Sequence, residues 1–83
     1  MADVKCKVKP GLASFERGVA VTDIDGRPEF LRVNADFLTY ENGQAYLPIG
    51  VVYRLADRVL IELPHEADSG THRLWVDPAS ISW

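Results

Sequence analysis

The chain has 83 residues, 47% of them hydrophobic and 25% charged, with a formal net charge of −3 and a single cysteine, Cys6. That length holds one small domain with a thin core, burying only about 60% of the surface its unfolded chain exposes. One thiol excludes an internal disulfide and the cysteine-rich zinc sites. The apolar content excludes disorder, and the apolar runs are too short and interrupted for a membrane-spanning helix.

The charge is unevenly placed. Lys5, Lys7 and Lys9 are the only lysines and stand against one acid, Asp3, giving +2 over residues 1–9; the other six arginines and eleven acids give −5. An acidic chain is a poor default for phosphate binding, so the balance argues against nucleic acid. Residues 1–9 lack the apolar segment of a secretory signal. No lipidation motif appears, and a free thiol suits a reducing compartment. The expectation is a cytoplasmic protein with no membrane partner.

Asp3 to Lys9 alternates Val4, Cys6 and Val8 with the lysines, which predicts a half-buried strand. Lysines on its outer face fit an edge strand. Pro10-Gly11 ends it, and Leu12 to Arg17 reads as a loop. Val19–Ile24 and Pro28–Val33 flank Asp25-Gly26, a strong hairpin signal because tight primed turns need positive φ. Ala35 to Tyr40 fits either a strand or one helical turn. Asn42-Gly43 then marks a second hairpin, with Gln44–Leu47 as its return arm. Pro48 and Gly50 predict a bend.

Val51–Leu55 and Arg58–Leu63 are strands joined by a tight turn at Ala56-Asp57. Val51, Tyr53 and Leu55 share one face of the first; Val59, Ile61 and Leu63 share one face of the second. Pro64 to Gly70 is a polar loop. Thr71–Val76 is a strand with Leu74 and Val76 facing away from Arg73 and Trp75. Asp77-Pro78-Ala79-Ser80 predicts one 3-10 turn, since Asp before Pro caps a short helical turn. Ile81-Ser82-Trp83 closes the chain. Phe37, Tyr40, Tyr46 and Trp83 are expected in the core or plugging a barrel end.

Five to seven short strands and no amphipathic helix of ten residues predict an all-β fold, a small, partly closed antiparallel β-barrel. The predicted organisation is one domain over 1–83, with the barrel in 18–83 and 2–9 as an added strand. The closing stretch Leu74-Trp75-Val76-Asp77-Pro78-Ala79-Ser80-Ile81 (strand, 3-10 turn, short strand) resembles the end of the Src-homology-three-like small barrels. Val19-Ala20-Val21-Thr22-Asp23 stands where peptide-binding members carry their tyrosine motif and has no tyrosine, so proline-rich recognition is not implied. The PEFLRV, YLPIGVV, ELPHEADSG and RLWV segments are similar to small uncharacterised bacterial proteins. Folds of this class host unrelated functions.

Chemistry is sparse. His65, Glu66, Asp68 and His72 lie together in one loop, but their spacing matches no helical or zinc pattern; a solvated loop is expected, with a metal-binding enzyme as the third-ranked reading. Cys6 among valines reads as a small buried hydrophobe. Ser69 near His72 is proximity in sequence, which does not make a triad. Asp23-Ile24-Asp25-Gly26 lacks the rest of a calcium loop. No catalytic residue, metal or cofactor is assigned, and no enzyme activity is expected.

One face stands out. Opposite the expected core, Val52, Leu60 and Trp75 predict an apolar stripe framed by Arg54, Glu62 and Arg73. Charge-rimmed apolar surface is what an interface looks like, and Trp and Arg are favoured anchors. The leading expectation is therefore a non-catalytic interaction or adaptor module that binds a protein partner or a second copy of itself. The alternative is a small barrel that binds nucleic acid through Lys5, Lys7 and Lys9.

Overall fold

Residues 2–11 and 13–83 are described in a computed structural model; Leu12, in the segment expected as a loop, lies outside them. Alternation dominates the first strand, β1 (Ala2–Pro10), whose Ala2, Val4 and Cys6 are buried while Lys5, Lys7 and Lys9 are exposed. The same period of two shapes β2 (Glu16–Thr22) and β3 (Pro28–Asn34), which bury Val19, Val21, Leu31 and Val33. Between them Gly26 takes φ +82°. Asp23 ties that turn by accepting from the backbone N–H groups of Asp25 and Arg27, each at 2.9 Å.

Ala35 to Tyr40 is both of the forms its sequence allows. A 3-10 turn over Ala35–Phe37 is capped by Asn34, whose side chain accepts from Asp36 N–H. The chain then extends as β4 (Thr39–Glu41). Asn42 (φ 52°) and Gly43 (φ 81°) turn it back into β5 (Gln44–Arg54). Positive φ at both central residues is the primed turn that suits strand twist.

β5 departs from expectation, because no break occurs at Pro48 or Gly50. Its first part pairs with β1 and β4, its second with β6 (Val59–Glu62). Pro48 falls after β4 has ended and before β6 begins, so one side of the strand needs no N–H there. The long strand is thus shared between two parts of the sheet. After β6 come β7 (Arg73–Val76), a 3-10 turn over Pro78–Ser80 capped by Asp77, and β8 (Ile81–Ser82).

The strands form one antiparallel sheet in the order β3-β2-β1-β5-β6-β7, with β4 on β5 and β8 on β1. It curls into an open half-barrel around an inner layer that includes Val4, Val21, Leu31, Leu47, Ile61 and Val76. β1 is therefore central, neither an edge strand nor an addition to a barrel in 18–83. Its lysines cover an outer face of the sheet and do not guard an edge. Phe37, Tyr40 and Trp83 are exposed and Tyr46 is half-buried, so none of the four plugs the core. No helix among the described residues is long and apolar enough to cross a membrane.

Candidate functional site

The outer side of β5–β6–β7 carries the apolar stripe, with one change of membership. Register places Tyr53, Leu60 and Trp75 directly opposite one another across the three strands. The next row is Gly50, Glu62 and Arg73. Val52 does not belong to the stripe, because the register shifts between Val51 and Tyr53 and leaves it unpaired. A bulge of one residue exchanges the faces beyond it. Arg54 consequently pairs with buried Val59 and leaves the outer face, while Tyr53 joins it.

Cross-strand neighbours fix this row. Trp75 and Leu60 are half-buried, whereas Tyr53 is 58% exposed. The Arg58 guanidinium lies 6.0 Å from the Trp75 ring centre, within reach of a cation–π attraction. Arg73 Nε donates to Glu62 Oε1 at 3.0 Å. Val51, Val52 and Leu55 are also exposed on this hairpin, whose tip closes with Leu55 N–H donating to Arg58 O. Beside it the Arg54 guanidinium stacks 4.0 Å from the Trp83 ring centre.

The polar loop is not simply solvated. Leu63 N–H donates to His72 O, and Ala67 N–H donates to Thr71 O, folding the segment into a narrow excursion with Ala67 buried. It straps the exposed edge of β3: Asp68 N–H donates to Phe30 O at 2.7 Å, and Ser69 Oγ donates to Glu29 Oε1 at 2.6 Å. His65 Nε2 lies 2.6 Å from Arg32 O and its Nδ1 2.9 Å from Glu66 O. His72 Nε2 lies 2.9 Å from Leu63 O. The two imidazoles thus contact backbone carbonyls, and Glu66 and Asp68 are exposed. Among the described residues no group of three or more His, Cys, Asp or Glu side chains is placed to hold a metal ion. Sequence reasoning missed this strap because its bonds reach backbone far away in the chain, which leaves no local pattern.

A second outer face lies over β1–β2–β3. Lys7, Ala20 and Phe30 stand opposite one another, and so do Lys9, Gly18 and Arg32. Small residues on the middle strand leave a groove of about 470 Å³ whose lining includes Lys7, Lys9, Ala20, Thr22 and Phe30. Lys9 Nζ sits 5.5 Å from the Phe30 ring centre. On the other side of the sheet burial pushes the Cys6 thiol up to about 11, so at neutral pH it is protonated and a poor nucleophile. Compared with protein-family models, curated proteins and solved structures, the chain matches none.

Proposed function

We propose that the protein is a non-catalytic interaction module whose Tyr53–Leu60–Trp75 row receives a protein partner. The observation that carries this is the row itself: three large side chains in register on neighbouring strands, bounded by Arg58 on one flank and the Glu62–Arg73 pair on the other. An apolar centre with a charged rim is the anatomy of a protein interface, and Trp, Tyr and Arg are its commonest anchors. The half-barrel, with its Src-homology-three-like order of closing elements, serves as a rigid support for that face. A cytoplasmic setting fits the free buried Cys6.

A second copy of the chain is the first partner to test. Small size favours it, because a thin core gains from additional burial. Trp75→Ala is expected to keep the far-ultraviolet spectrum of the folded protein and to lose self-association in sedimentation equilibrium. A wild-type chain that stays monomeric to millimolar concentration would rule out the homodimer. Proximity-labelled neighbours unchanged by Trp75→Ala would rule out the row as an interface altogether.

A further inference from the structure

We infer that the β1–β2–β3 outer face is a binding groove for single-stranded nucleic acid, separate from the Tyr53–Leu60–Trp75 row. The chain's net charge of −3 opposes such binding only if charge is spread evenly. It is not. Lys5, Lys7 and Lys9 project from one side of β1, and Arg32 stands on β3 opposite Gly18. Few acids oppose them: Asp68 lines the groove beside Phe30 and Arg32, Asp25 adjoins Gly26 in its lining, and Glu16 and Asp3 stand further off, at the start of β2 and two residues before Lys5. None of the four cations has an ion-pair partner among the described residues, in contrast to Arg58 with Asp57 and Arg73 with Glu62.

The spacing gives the cations direction. Alternate residues on a strand are about 6.7 Å apart, so the three lysines form a straight file of positive charge. That step is close to the distance between successive phosphates in an extended single strand. The floor of the groove is Gly18 and Ala20, small residues over which the Lys9 side chain runs towards Phe30. On the far side Phe30 is 44% exposed, an aromatic face of the kind on which bases stack. Lys9 covers that ring, and its ammonium would move to a phosphate when a base takes its place. A file of cations beside an aromatic platform distinguishes this occupant from an acidic peptide, which has no use for Phe30 as a stacking surface.

Fluorescence anisotropy with labelled oligo-dT and oligo-rU of about 12 nucleotides tests the groove, with poly-glutamate of similar charge as the peptide arm. Three to four neutralised phosphates predict a log–log salt slope of about −2 to −3, which is about 20- to 50-fold weaker binding at 200 mM salt than at 50 mM. The Lys7→Glu/Lys9→Glu double variant is expected to abolish binding, and Phe30→Ala to weaken it about fivefold or more. Both changes are on exposed side chains, and circular dichroism verifies the fold of each. Absence of binding at low salt overturns the inference. So does poly-glutamate binding as tightly as the oligonucleotides with no effect of Phe30→Ala, which assigns the groove to an acidic polypeptide.

Discussion

The outer faces of β1–β2–β3 and β5–β6–β7 arise from the same strand alternation, yet they share almost no chemistry. In the first, Lys7, Lys9 and Arg32 stand over Gly18 and Ala20. In the second, Tyr53, Leu60 and Trp75 form a continuous apolar row. Their inner faces are alike in being aliphatic, lined by Val and Leu in both and by Ile in the second. The core constrains every second residue and leaves the others free, so a single curled sheet presents two distinct surfaces. β1 and β5 join them, pairing from Ala2↔Ile49 to Cys6↔Ala45.

The largest predicted effect cuts that junction. Leu47 is fully buried on β5 opposite Val4. Leu47→Ala should cost about 2–5 kcal/mol, the transfer term plus the cavity left behind. Denaturation followed by tryptophan fluorescence, from Trp75 and Trp83 together, and by far-ultraviolet circular dichroism should give one shared midpoint for each protein. Midpoints that separate would show that the two halves fold as independent units.

Next in size is an alkaline effect at the same junction. The Cys6 thiol is pushed from 9.0 up to about 11 by burial. Below pH about 9 both folded and unfolded chains hold the proton, and the group leaves stability unchanged. Between about 9 and 11 the unfolded chain releases it first, so stability falls as pH rises. The loss is of order 2–3 kcal/mol across that window. Comparing the pH slope of wild type with that of Cys6→Ala isolates it from lysine and tyrosine titration. Equal slopes would mean that the β1–β5 junction opens to solvent.

Much of this architecture was legible in the sequence because it is local. Asp25-Gly26 and Asn42-Gly43 encode their turns through positive φ, and alternation encodes the buried faces of β1, β2, β3, β6 and β7. What escaped is long-range. Nothing near Lys5 says that β1 lies between β2 and β5, since centrality depends on partners far along the chain. Asp68 and His65 show no sign in sequence of bonding to the β3 edge. The bulge at Val52 carries no glycine to betray it, and it alone moved Tyr53 into the row in place of Val52 and Arg54. Leu60, Glu62, Arg73 and Trp75 stand on neighbouring register positions because β6 and β7 pair without interruption. The basic file was visible, but the groove beside it required the register of Gly18 and Ala20.

The smallest predicted effect asks how open the second face is. The Arg73 and Glu62 side chains are 58% and 40% exposed and meet at 3.0 Å. An exposed pair of this kind contributes about 0.2–1 kcal/mol, weakened further by salt. A double-mutant cycle with Arg73→Ala and Glu62→Ala on dilute, monomeric protein should give a coupling of about 0.5 kcal/mol or less. Repeated at a concentration where copies associate, the coupling should grow if the row is covered, because removing water raises the effective strength of a charge pair. Coupling that stays constant while the protein dimerises would place the contact elsewhere on the molecule. The lysine-lined face provides the internal reference: Lys7 and Lys9 have no ion-pair partner among the described residues, so their substitution should leave stability nearly unchanged at both concentrations.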